Sequence, residues 1–210
     1  ISNLNTIEID NLFFPVTLDF NLKNVFFSDL DPEIKMYLNM LGYDDLAFDL
    51  NFQSSIDYKK EEFTISLDTS IYDAFGLKTK LIFSNLDINS LNFSNDLELM
   101  EYFSNEFKFN LFEIEFIDDG MTDKMFLFVD EFFGFKKNDI KQLFLQEINN
   151  DAELQSSIDV KYLKKMLNFI DNPDSIKIII QPQTPMSFND ILIYSMNPAL
   201  LIAELNVSIE

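Results

Sequence analysis

The chain has 210 residues, 47% of them hydrophobic, and sets 36 acidic residues against 15 basic ones for a net charge of −21. That length supplies one large core or two small ones, and so acidic a surface repels nucleic acid and anionic lipid head groups, which are bound by clustered cations. Arg, His, Cys and Trp are absent; this removes the side chain that titrates near neutrality, the thiolate nucleophile, the disulfide, the Cys-based metal site and the guanidinium clamp.

The first predicted element is a strand. Leu12, Phe14, Val16, Leu18, Phe20 and Leu22 share one parity, and Asn11, Thr17, Asp19, Asn21 and Lys23 share the other, the period-two pattern of a sheet with one buried face. Pro15 lacks an N–H, so this strand is expected at an edge or with a break. A helix follows over "DPEIKMYLNMLG" (31–42). Asp31 is placed to cap it, Pro32 opens it, Ile34, Tyr37, Leu38 and Leu41 make its stripe, and Gly42 ends it.

Leu46, Phe48, Leu50, Phe52, Ile56 and Tyr58 then alternate with polar residues, and Lys59–Glu62 turns the chain. Phe63, Ile65, Leu67 and Ile71 form the next strand, and "AFGLKTKLIF" (74–83) is read as a Gly76 turn leading into another. Short connections predict an antiparallel meander. In "EFKFNLFEIEF" (106–116) the apolar parity slips by one residue, which places a β-bulge near Leu111 or buries both faces at mid-strand.

From Thr122 the period becomes helical. Met125, Phe128, Val129 and Phe132 form a stripe closed by Gly134; Asn138 is read as the cap of a helix with Ile140, Leu143, Phe144 and Ile148 inward; Leu163, Met166, Leu167 and Ile170 form a third stripe that stops at "DNP" (171–173). A strand at 175–182, short helices starting at Ser187 and Asn197–Pro198, and a closing strand at 205–210 complete the chain. The fold class is therefore α+β: a curved antiparallel meander with one face covered by amphipathic helices. No linker divides it, so residues 1–210 are read as one domain, strand-rich over 1–120, helical over 121–172 and mixed over 173–210.

Groups that could carry chemistry have plainer readings beside them. Asp118, Asp119 and Asp123 surround Gly120 but lack the spacing of a calcium loop, and a turn with a capped helix accounts for them. Asp44–Asp45 is read as a strand entry. Ser156–Ser157 and Lys164–Lys165 would need a desolvated Lys to act together and otherwise form a solvated helix face. The acids are too many for any pair to be chosen as a hydrolytic dyad. No catalytic, metal or cofactor residue is nominated, and no cofactor is expected.

The aromatic excess, 24 Phe, is the feature most open to a functional reading. An AT-rich genome accounts for part of it. Phe48, Phe52, Phe63 and Phe83 on the sheet, with Phe128 and Phe132 on a helix, are expected either to pack as core or to line a cavity for an apolar ligand such as a lipid; Phe14, Phe20 and Phe144 share the core assignment.

Three segments carry a resemblance. "LDPEIKMYLNMLGYDDLAFDLNFQ" holds a "DPE" helix that ends in "LGYD" before a strand alternating Leu and Asp. "IEFIDDGMTDKMFLFVDEFFGFKKNDIKQLF" holds a "D-G" turn, a helix, a Gly and a second helix, and "FIDNPDSIKIIIQPQTPMSF" a Pro turn, a strand and a Pro-bounded loop. In these the chain resembles an uncharacterised family of exported alphaproteobacterial proteins, over most of residues 30–210. The resemblance implies a periplasmic or exported location and supplies no activity. An N-terminal Ile1 fits either a removed signal peptide or a larger parent protein. The expected role is a non-enzymatic cell-envelope binding or scaffolding domain with a protein partner or apolar ligand, no nucleic acid and no transmembrane segment. The alternatives are a carrier of a lipid, and a hydrolase built on carboxylates or a Ser–Lys pair.

Overall fold

Alternation does build the sheet, and it builds more of it than the pattern announces. A computed structural model describes residues 2–9, 12–27, 30–44, 46–86, 96–150 and 160–210. Its strands are β1 (Ser2–Ile9), β2 (Leu12–Phe26), β3 (Ala47–Asp57), β4 (Glu62–Ile71), β5 (Phe75–Ser84), β6 (Lys108–Asp118), β7 (Ser175–Ile180), β8 (Met186–Ser187) and β9 (Val207–Ile209). The helices, numbered along the chain, are α1 (Pro32–Met40), α2 (Asp96–Asn105), α3 (Met121–Phe133), α4 (Lys137–Asn150), α5 (Val160–Asp171), α6 (Phe188–Ser195) and α7 (Pro198–Leu205). All strands join one antiparallel α+β sheet in the order β1-β2-β3-β4-β5-β6-β7-β9, with β8 on β6. Because β5 holds one edge of β6, β7 and β8 share the other, and residues 181–185 loop out between them.

Cross-strand partners lie on one face of a sheet, so the register sorts the side chains into rows. Phe20, Phe52, Leu67, Thr79, Ile114, Ile178 and Ile209 make the middle row of the apolar face. Towards one end come Leu22, Leu50, Thr69, Leu77, Phe116 and Ile176, then Val25, Phe48, Ile71 and Phe75. Towards the other end the last row is Ile56, Phe63, Phe83, Phe109 and Met186. The opposite face is polar, and its central row alternates in charge: Asp68, Lys78, Glu115, Lys177. Lys78 Nζ reaches Glu115 at 3.7 Å, and Lys177 Nζ reaches Glu113 diagonally at 3.3 Å. A one-residue slip would turn these charges onto the apolar face and set Lys78 opposite Ile114 or Phe116, so this ladder helps specify register.

Some irregularities were readable and others were not. The parity slip in β6 is a bulge at Asn110: Ile82 faces Leu111 while Phe83 faces Phe109, and Asn110 Oδ1 accepts from Ser84 Oγ at 2.8 Å. Pro15 lies opposite a register shift between Asn5 and Thr6; β1, which the alternation did not announce, supplies the edge. Gly76 does not turn the chain. It sits within β5, and the turn is Tyr72–Ala74, where Asp73 takes φ 57°. α2 has no counterpart in the sequence reading.

Helices lie over the apolar face unevenly. α5 packs on β7 and β9, with Phe169 edge-on to Phe116 at 5.8 Å and the Tyr162 hydroxyl donating to Val207 O. Lys137 Nζ donates to the Asp171 carbonyl at 2.9 Å and Lys141 Nζ to its carboxylate at 2.7 Å, so α4 places two cations at the C-terminus of α5. Over β3, β4 and β5 the apolar rows stay half-buried.

The stripes read for α1, α3 and α4 are partly turned out. Ile34, Tyr37, Met125, Phe132 and Leu143 are exposed, while Leu38, Phe128, Val129 and Ile148 carry the packing. α4 also begins before Asn138: Asp139 Oδ2 accepts from Lys136 N at 2.9 Å and makes the cap.

Candidate functional site

The two ends of the apolar face are closed differently. At the Phe48 end the chain leaves α1 through Gly42 (φ 80°) and drives Tyr43 beneath the β4–β5 turn. Its hydroxyl donates to Asp73 O at 3.1 Å, Lys124 Nζ stands 3.7 Å from its ring centre, and Ala47 and Ala74 are buried beside it. Burial, with Asp118, Asp73 and Asp119 nearby, raises the Tyr43 phenol above its ordinary range. Asp118 is tied into the turn. It accepts from Gly120 N at 3.0 Å and from Thr122 N and Oγ1 at 2.8 and 2.6 Å, so it caps the entry to α3. No cluster of three or more acids that could hold a metal ion occurs among the described residues.

At the Phe83 end aromatic rings gather without closing. Phe83 stacks on Phe107 at 4.7 Å and meets Phe63 at 6.4 Å and Phe109 at 6.2 Å; Phe103 meets Phe107 edge-on at 5.2 Å. The bulge at Asn110 makes this gathering, because it returns Phe107 and Phe109 to the face that carries Phe112. Two elements frame the space. α2 is held by the Tyr102 hydroxyl donating to Asn85 O, and Asn85 Nδ2 donates to Glu106 O at 2.8 Å. α6 starts in a capping box: Ser187 Oγ accepts from Asp190 N at 3.1 Å, and Asp190 Oδ2 accepts from Ser187 N at 2.8 Å. Ser187 Oγ also donates to Asp190 Oδ2 at 2.7 Å, and this bond, then the one from Ser187 N, with Lys108 Nζ at 3.6 Å, hold the Asp190 carboxyl below its usual range.

Between α2 and α6 lies a cleft of about 330 Å³ lined by Phe83, Phe103, Ser104, Phe107, Phe109, Met186, Phe188 and Ile191. Its one polar side chain, Ser104, donates to Met100 O at 2.7 Å. No ionisable group lines it, so it is suited to hold apolar matter and offers no acid or base to activate that hydroxyl.

Of the six aromatics named from sequence, Phe83 lines this cleft and Phe63 stacks behind it. Phe52 lies in the middle row. Phe48 stacks on Phe27 at 4.9 Å, and its strand position is eight residues from Ile56, which faces Phe63; at ~3.4 Å per residue that is roughly 27 Å away. Phe128 and Phe132 pair with each other on α3 at 4.6 Å. The six therefore do not come together.

Phe103, Met186, Phe188 and Ile191 were missed as a set because they sit on α2 and around β8, which the alternation did not connect to β5. The shared parity of Phe107 and Phe109 was the available signal. Lys164 and Lys165 are exposed on α5; Asn11, Asp45, Ser156 and Ser157 lie outside the described residues. Among the described residues no helix is long and apolar enough to cross a membrane. A family model described as "Uncharacterized protein" matches residues 61–210, from β4 to the last residue. No curated protein and no solved structure matches the chain.

Proposed function

The chain belongs to that family of uncharacterized proteins, and from this premise we propose that it is a non-enzymatic binding or scaffolding domain whose apolar sheet face is completed by a partner protein. The observation that carries the reading is the half-burial of the rows over β3, β4 and β5. Contiguous apolar surface left in water is unfavourable at about 25 cal/mol per Å² and marks an interaction surface.

A cell-envelope location in an alphaproteobacterium goes with this reading and is supported by the three segments quoted above. Nucleic acid is not among the proposed partners, given a net charge of −21. A hydrolase built on carboxylates or on a Ser–Lys pair has no support from the lining of the cleft.

A photo-crosslinking residue placed at Phe52, on the apolar face, and at Gln53, on the polar face, tests the proposal in cells. A discrete adduct from position 52 and none from 53 is expected. Equal adducts from both positions, or none from 52, overturn it.

A further inference from the structure

The cleft between α2 and α6 has a rim as well as a lining, and the rim is apolar. Met100 lies one turn before Phe103 on α2 and is 68% exposed; Leu192 lies one turn after Phe188 on α6, and Met196, at its C-terminal end, is 88% exposed. Asn189 Nδ2 donates to Asn105 Oδ1 at 2.7 Å and fixes the two helices side by side. We propose that this cleft takes the alkyl chain of an uncharged lipid, which enters across the rim formed by α2 and α6. The cleft shares Phe83 of β5 with the face on which the scaffolding reading rests, but the inference stands on α2 and α6, which that reading does not use.

Three features identify the occupant. The volume, about 330 Å³, stands at the low end of ligand pockets and suits a slender chain better than a fused-ring molecule. Phenylalanine rings and the adaptable thioether of Met186 give such a chain contact along its length and ask for no polar group from it. Charge selects the head group. The sequences of α2, α6 and α7 hold Asp96, Glu98, Glu101, Asp190 and Glu204 and no Lys, and Lys108, the cation beside the cleft, is engaged by Asp190 at 3.6 Å. An anionic head at the mouth would find Lys108 already engaged by Asp190 and no other Lys on these helices, whereas an uncharged head needs no cation.

Calorimetric titration of the whole chain with 1-monoacylglycerols of eight, ten and twelve carbons, each below its aggregation threshold, tests the proposal. Affinity is expected to rise roughly fourfold per added methylene until the cleft is full, at one molecule per chain. The fatty acid anion of the same length is expected to bind at least tenfold more weakly. Phe188→Asp and Phe103→Asp, both at partly exposed positions, should each lose at least tenfold. Phe132→Asp on α3 should lose nothing, with far-ultraviolet circular dichroism confirming that all three fold.

The chain-length series on the unmodified protein keeps the test decisive if the Asp variants do not fold. Affinity indifferent to chain length, a carboxylate bound as tightly as the glyceride, or folded Asp variants that bind normally would each overturn the proposal. So would adsorption to phosphatidylcholine vesicles without uptake of the monomeric glyceride.

Discussion

At one end of the sheet two alanines and a tyrosine are buried beside a pocket of about 290 Å³ lined partly by Lys35 and Asp44, and at the other an apolar cleft stays open although five phenylalanines converge on it. At the first end Ala47 and Ala74 let backbones meet: Tyr72 N donates to Ala47 O at 3.1 Å, and Asp119 N donates to Ala74 O at 2.9 Å. Tyr43 is buried beside them and satisfies its hydroxyl on Asp73 O. At the second end the rings of Phe63, Phe83, Phe103, Phe107 and Phe109 are large and rigid, and they stack pairwise and leave a void between helices. Aromatic content and closure are thus separate properties. Small side chains that bring hydrogen-bonding backbones together close a layer more completely than bulk does.

The largest effect expected from this contrast is at the closed end. Tyr43→Ala should destabilise the protein by about 3–5 kcal/mol and lower Tm by on the order of 10 °C, measured by calorimetry. Phe83→Ala, at a half-buried ring that already borders a cavity, should cost only about 2 kcal/mol; equal losses at the two sites would erase the contrast.

Ser187→Ala should cost about 1 kcal/mol through loss of the α6 cap. It should also flatten the acid limb of the stability curve. The Asp190 carboxyl is lowered from 3.8 in the folded state, so the stability it contributes is present above that pH and drains as pH falls through the lowered value.

The smallest effect is alkaline. The Tyr43 phenol is raised from 10.0, so its contribution is complete below pH 10 and fades as pH climbs through the raised value, when the unfolded chain gives up its proton first. Denaturant melts of Tyr43→Phe across pH 9–11 should show a shallower decline, with about 1 kcal/mol lost near neutrality from the missing bond to Asp73.

What could be read from sequence was what neighbouring residues decide among themselves. Asp31 accepts from Glu33 N at 2.8 Å, Ser187 and Asn197 cap α6 and α7, and the stripe of α5 faces the sheet. The bulge at Asn110 was legible because a slip of parity is itself local. Burial of a stripe was less legible, because cover comes from elsewhere in the chain: Met125 and Phe132 have the spacing of a packed face but stand in solvent. β1 and α2 escaped for a related reason. Leu97 and Met100 on α2 are exposed, so the helix presents no clean two-sided pattern. The cleft combines both difficulties, since its walls come from β5, α2, β6, β8 and α6 and no window of sequence contains them all.

The order of strands has a consequence for assembly. From β1 to β6 each strand pairs with the one made just before it, so a chain appearing N-terminus first can zip the meander through hairpins of low contact order. β7 must instead wait for residues 119–174 to be made and brought round, which requires closure of a long loop. Stopped-flow refolding reads this directly: Leu67→Ala on β4 should slow folding, whereas Ile178→Val on β7 should leave the folding rate unchanged and speed unfolding. Until that late strand docks, the free edge of β6 remains a template for pairing with other chains, and the hazard of aggregation is concentrated there.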